Sequence, residues 1–218
     1  MDRGPCTQVL STPSSPPRPP RVAVDPLKRS LDVLAAALLL ALFAPLLLLA
    51  ALAIRLESPG PALFRQTRGG LGGATFQILK LRTMFCHEEG PDLAQARRGD
   101  HRITRVWRVL RATSVDELPQ LLNVLRGDMS LVGPRPHATA HDDYYGARIP
   151  GYYERYQTRP GLTGLAQVKG LRGGTETVEA MRQRIEADID YIQTWSLSRD
   201  LKIVLLTLPS LFLTDNAY

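Results

Sequence analysis

Apolar positions divide the chain into three stretches of different character. Residues 1–26 hold seven of the 17 prolines and few large apolar side chains. Such a stretch buries too little surface to offset its ordering entropy, and it predicts a disordered or polyproline-like tail. From Val33 to Ile54 the chain carries no charge: VLAAALLLALFAPLLLLAALAI. These 22 residues make about 33 Å of straight helix, enough for a hydrocarbon core of about 30 Å. Beyond residue 57, apolar side chains recur at strand and helix spacings, as in a folded domain.

The uncharged segment admits several readings. By length it is a single transmembrane helix or a buried core helix. Pro45 stands in its middle, where the missing N–H and the restriction on Ala44 predict a kink. Arg21, Lys28 and Arg29 precede it and Arg55, Arg65 and Arg68 follow, so the positive-inside rule assigns no orientation. A helix that enters, bends at Pro45 and returns would keep both ends on one side. Leu31 to Pro45 covers only about 21 Å along the axis, too short to cross. A secretory signal is a third reading, since Ala51-Leu52-Ala53 satisfies the small-x-small pattern. The Pro-rich leader of about 30 residues and the long apolar stretch fit it poorly.

In the remaining chain, Ala62–Gln66 and Thr75–Met84 predict two strands. Gly69, Gly70, Gly72 and Gly73 between them match no phosphate-binding fingerprint and read as a turn. Residues 87–101 predict a polar surface loop. Ile103, Val106, Trp107 and Leu110 mark an amphipathic helix flanked by Arg102, Arg105, Arg108 and Arg111, either solvated or laid on an acidic membrane surface. Leu118, Leu121, Leu122 and Leu125 repeat that spacing, and Gly127 ends the helix. A short strand then runs into Gly133-Pro134-Arg135-Pro136, and Arg159–Gly170 reads as a Gly/Pro loop with a basic entrance. Residues 176–195 predict a helix with the stripe Val178, Met181, Ile185, Ile189 and Ile192. Leu201–Leu213, interrupted by Pro209, is too short to span and reads as core or as a membrane-surface element.

A composition of 44% hydrophobic and 22% charged residues excludes full disorder, a collagen and a multi-span transporter. The net charge of +6 favours anionic partners. Cys6 and Cys86 form no metal-type pair and no disulfide framework. Asp116 and Glu117 adjoin at a predicted helix N-terminus beside a row of arginines, which keeps them ionised. Two accounts of them stand. Ser114-x-x-Glu117 matches a capping box, and capping from Asp116 would instead place Pro119 in the first turn. An ionised carboxylate facing a basic site is also a nucleophile for phosphorus or a ligand for a hard metal. Arg135, stiffened between two prolines, suits phosphate oxygens or is part of a structural turn.

The order of these motifs is more specific than any one of them. Lys28-Arg29-x-x-Asp32, the apolar segment with its central proline and Lys80-Leu81-Arg82-Thr83-Met84 come first. The long run from Asp116-Glu117-Leu118-Pro119-Gln120-Leu121 to Val132-Gly133-Pro134-Arg135-Pro136 follows, then Arg159-Pro160-Gly161-Leu162-Thr163-Gly164. From about Lys28 to Leu213 the chain closely resembles the bacterial sugar transferase family, the monotopic polyprenol-phosphate phosphoglycosyl transferases. The resemblance implies transfer of a sugar 1-phosphate from a UDP-sugar to undecaprenyl phosphate with release of UMP, the first membrane step of exopolysaccharide, capsule or related glycan synthesis. It implies Asp116 as nucleophile and Glu117 as the residue linked to Mg2+ and acid–base chemistry. It also implies Lys80, Arg82, Arg111, Arg135 and Arg159 at the substrate phosphates, and Asp200 in support of a basic partner. Pro45 becomes the break of a re-entrant helix.

The expected fold is therefore α+β and mainly helical. A Pro-rich tail (1–27) and a re-entrant membrane helix-break-helix (28–56) precede a cytoplasmic catalytic domain (57–218) with membrane-surface amphipathic helices, on the cytoplasmic face of the bacterial inner membrane. Leu165 stands where the family often has Trp, and the glycine cluster at 69–73 is richer than usual. A catalytically silent membrane scaffold is the alternative function; the intact Asp116-Glu117 pair speaks against it. A nucleic-acid binder lacks any recognition signature at 6% aromatic content. The sugar, the glycan pathway and the oligomeric state, a homo-oligomer included, stay open.

Overall fold

The computed structural model describes residues 19–82, 110, 113–171 and 177–212. Arg21–Val24 forms one helical turn, α1, and its Val22 is buried with Val132, Tyr191, Ile192 and Ile203. Val22 lies within the stretch 1–27 that the composition reads as a Pro-rich tail. Residues 1–18 lie outside the described residues.

Helix α2 spans Pro26–Glu57, 32 residues and about 48 Å. Asp25 caps it by accepting from Lys28 N at 2.9 Å, and Pro26 sits at the start, where its missing donor is harmless. The helix continues through Pro45 with no non-helical residue. Loss of one hydrogen bond is tolerated here because packing holds the helix on both sides of the proline. Ala36 packs with Ile78, Leu121, Val124 and Met129, and Ala50 and Ile54 pack with Leu81 and Leu110. The other face is bare: Leu34, Leu38, Leu42, Leu48 and Leu49 are 66–72% exposed.

The alternating segment after α2 folds as expected. Strands β1 (Leu63–Gly69) and β2 (Thr75–Leu81) form an antiparallel hairpin in register from Leu63↔Leu81 to Gly69↔Thr75. Gly72 and Gly73 take φ of +66° and +80° in the connection, where a side chain would be strained. After a 3-10 turn at Val115–Glu117, helix α3 covers Gln120–Arg126 and ends at Gly127. Ser114 makes no capping bond, and α3 starts only after Pro119, so neither capping arrangement expected from the sequence occurs. The helix expected over 103–110 and the loop 87–101 lie outside the described residues, apart from helical Leu110.

Strand β3 (Ser130–Val132) pairs in parallel with β4 (Gly161–Thr163), inside what the sequence presented as a loop. The backbones meet closely: a Cβ on Gly161 would lie 2.1 Å from Gly133 N. Helices α4 (Thr139–Gly146), α5 (Leu165–Val168), α6 (Val178–Gln193) and α7 (Leu197–Phe212), with a 3-10 turn at Tyr152–Gln157, complete the described fold. α6 carries the expected stripe, with Met181 and Ile185 buried against Tyr145, Ile149 and Tyr152. α7 buries Ile203 and exposes Leu201 and Leu205.

A buried polar clasp ties the first turns of α2 to this body. Lys28 Nζ lies 2.7 Å from Asp200 Oδ2, which also accepts from Trp195 Nε1 at 3.1 Å. Tyr191 donates to Asp200 Oδ1 at 2.7 Å. Asp32 accepts from Ser130 Oγ at 2.7 Å and Leu131 N at 3.2 Å. Charges this deep persist only when paired and hydrogen-bonded.

Candidate active site

Two local features aim the Asp116-Glu117 turn at β2. Ser114 adopts left-handed backbone at φ +55°, a conformation that costs a non-glycine residue about 1–2 kcal/mol. Asn123, fully buried on α3, then stands in for a third strand along β2. Its Oδ1 accepts from Leu79 N at 3.0 Å and its Nδ2 donates to Gln77 O at 2.8 Å. That pairing fixes α3, and with it the preceding turn, against Lys80.

Glu117 is held from two sides. Lys80 Nζ donates to Oε1 at 2.9 Å, while Arg135 donates through Nη1 to Oε2 at 3.2 Å and through Nη2 to Oε1 at 2.5 Å. Asp116, buried, lies within electrostatic reach of both Lys80 and Arg135. Burial alone would raise the Glu117 carboxyl; the Arg135 and Lys80 charges outweigh it and hold it well below the usual carboxylate range. Lys80 is pushed down by its own burial, which outweighs the pull of Glu117, and the like charge of Arg135 adds to the fall. In this arrangement Glu117 is an ionised hydrogen-bond acceptor.

The structure brings Lys80, Asp116, Glu117 and Arg135 together and separates other expected members. Arg82 is buried against the end of α2, donating to Pro59 O at 2.7 Å and to Ser58 O and Oγ at 2.8 Å. Arg159 donates to Gly127 O at 3.0 Å and Ala23 O at 3.1 Å, beyond the far end of α3 from Glu117. In the ligand-free arrangement these guanidiniums satisfy backbone carbonyls near helix ends, groups that attract cations. Asp200 belongs to the clasp with Lys28. Arg111 lies outside the described residues.

Three groups escaped the sequence reading. Arg68 on β1 donates to Pro136 O at 3.4 Å, and burial and Arg135 press its pKa to about 10. Arg155 and Asp188 form an ion pair at 2.9 Å, each 2% exposed. Asp188 could have been found, since it lies on the Met181–Ile185–Ile192 stripe of α6, where a carboxylate needs a buried partner.

No cluster of three or more metal-binding side chains occurs among the described residues. Adjacent carboxylates at Asp116 and Glu117 nevertheless fit Mg2+, which takes one or two carboxylates and completes its shell with water and substrate phosphates. Glu117 would give up a cationic partner in doing so.

Residues 23–214 match the family model described as Bacterial sugar transferase. A UDP-glucose:undecaprenyl-phosphate glucose-1-phosphate transferase of Caulobacter vibrioides is 80% identical over 218 residues, all of this chain and 81% of the relative. A protein of the same name from Escherichia coli K12 is 48% identical over 192 residues, covering 88% of this chain and 41% of the relative. The Exopolysaccharide production protein PSS of Rhizobium leguminosarum is 45% identical over 190 residues, 84% of this chain and 94% of the relative. The chain belongs to the bacterial sugar transferase family.

Proposed function

We propose that this enzyme transfers glucose 1-phosphate, or a closely related sugar phosphate, from a UDP-sugar to undecaprenyl phosphate in exopolysaccharide synthesis. The observation that carries the reading is the Lys80–Glu117–Arg135 cluster beside Asp116. In the proposed first step a carboxylate oxygen of Asp116 attacks the sugar-bearing phosphorus. An acyl-phosphate bond forms, the bond to the bridging oxygen breaks, and UMP leaves with that electron pair. A phosphate oxygen of the lipid then attacks the same phosphorus and releases Asp116. Splitting the reaction in two avoids a direct meeting of two bulky anions. Lys80 and Arg135 face the charge that accumulates on the phosphoryl oxygens. Mg2+, held by Glu117 and Asp116, would add neutralisation of the diphosphate.

The same reading places the protein on the cytoplasmic face of the inner membrane, with both ends of α2 on that side. Support comes from packing. One domain touches α2 near both ends and in between, through Lys28, Ala36, Ala50 and Ile54, while the opposite leucines are bare. A polar domain flanking a helix along its length cannot follow it across hydrocarbon. The exposed leucines of α7 suit the same surface. The test is UMP release by protein in nanodiscs supplied with undecaprenyl phosphate, Mg2+ and a panel of UDP-sugars. Turnover is expected with UDP-glucose; none with any sugar would favour a silent scaffold.

A further inference from the structure

The loop that presents Arg135 cannot anchor itself. Pro134 and Pro136 carry no N–H, so the segment offers mainly carbonyls for attachment. All three successive carbonyls are taken by donors from elsewhere. Gly161 N donates to Pro134 O at 2.8 Å, Arg155 Nη2 donates to Arg135 O, and Arg68 Nη1 donates to Pro136 O at 3.4 Å. The middle grip falls on the residue whose side chain clamps Glu117.

Arg155 is built for that grip. Its guanidinium is 2% exposed and also contacts His137 Nδ1, Tyr152 Oη at 3.4 Å and Asp188 Oδ2 at 2.9 Å. Tyr152 in turn donates to Asp142 at 2.7 Å. One planar fork therefore joins α6, the Tyr152–Gln157 turn and both sides of Pro136, which a lysine could not do with a single ammonium. Burial and the Arg155 charge hold His137 neutral, so it can accept from Arg155.

We infer that Arg155, oriented by Asp188, is a positioning residue for the transfer reaction: it fixes the Arg135 main chain so that the Arg135 side chain meets Glu117 and the donor phosphates. This rests on the proposed function for the identity of the ligand. The test uses the full chain in nanodiscs, with Arg155→Lys made in the Arg135 and Arg135→Ala backgrounds. UDP affinity is read by calorimetry and backbone protection by hydrogen exchange over residues 133–137. Arg155→Lys should weaken UDP about tenfold with Arg135 present and less than about twofold with Arg135→Ala, the non-additivity of residues acting through one another. Exchange over 133–137 should quicken in both backgrounds.

Equal weakening in both backgrounds, or unchanged exchange, would overturn the inference. If Arg155→Lys does not fold, Asp188→Asn carries the same comparison. Absence of UDP binding by the unsubstituted protein would instead remove the proposed function, and exchange alone would then decide whether Arg155 holds the loop.

Discussion

Arg135 grips Glu117 with both terminal nitrogens while Lys80 reaches the same carboxylate from β2 at 2.9 Å. Three elements distant in sequence thus converge on one ionised group beside Asp116. Glu117 meets Lys80 because Asn123 on α3 pairs with the edge of β2. Arg135 owes its place to a loop whose carbonyls at 134–136 are each taken by a donor from elsewhere.

If the clamp stabilises developing phosphoryl charge, removing one cation should act on catalysis more than on folding. Lys80→Met should lower kcat by about 10²–10³, the usual loss of one preorganised electrostatic group. Lys80→Arg should recover part of it. Steady-state UMP release checks this, with circular dichroism to confirm the fold. An unchanged kcat in Lys80→Met would remove Lys80 from the site.

The same clamp makes a prediction about acid. The Glu117 carboxyl is held well below its usual 4.5 in the folded protein. Its contribution to stability is therefore present above about pH 4.5 and is lost as pH falls through the lower folded value. The thermal midpoint of the unsubstituted protein should exceed that of Glu117→Gln at pH 7, and the gap should close as pH falls below about 4.5. A gap independent of pH would contradict the ionised clamp.

Arg82 and Arg159 should behave as staples. Arg82→Ala forfeits bonds to Ser58 and Pro59 and should cost about 2 kcal/mol or more of stability. Arg159→Ala should lower the thermal midpoint while leaving the donor KM of the folded fraction within about twofold. A large rise in donor KM without loss of stability would return either arginine to the phosphate site.

Topology is separable from chemistry. Single cysteines at Ser30 and Glu57, near the two ends of α2, should both resist an impermeant thiol reagent applied from the periplasm and both react after permeabilisation. Labelling at one end only would show that the helix crosses.

The legible parts of this fold were those fixed by local pattern. Alternation gave the hairpin, and the leucine spacing with Gly127 gave α3. At Pro45 the helical assignment runs on, with Ala36 on one side and Ala50 and Ile54 on the other held by the domain. Motif position grouped Arg82 and Arg159 with Lys80, but which carbonyls an arginine meets is decided by tertiary contact. Arg155 sits in a tyrosine-rich turn with no spacing signal, and its partner Asp188 is on another element.

The central claim is that Asp116 carries the phosphosugar between donor and lipid. Protein in nanodiscs should be quenched after brief exposure to UDP-glucose labelled in its sugar-bearing phosphate, without lipid acceptor, and mapped by mass spectrometry. A phosphosugar adduct is expected on the peptide containing Asp116, discharged by added undecaprenyl phosphate and absent in Asp116→Asn. Product formation by Asp116→Asn, or turnover with no adduct at any time point, would contradict it.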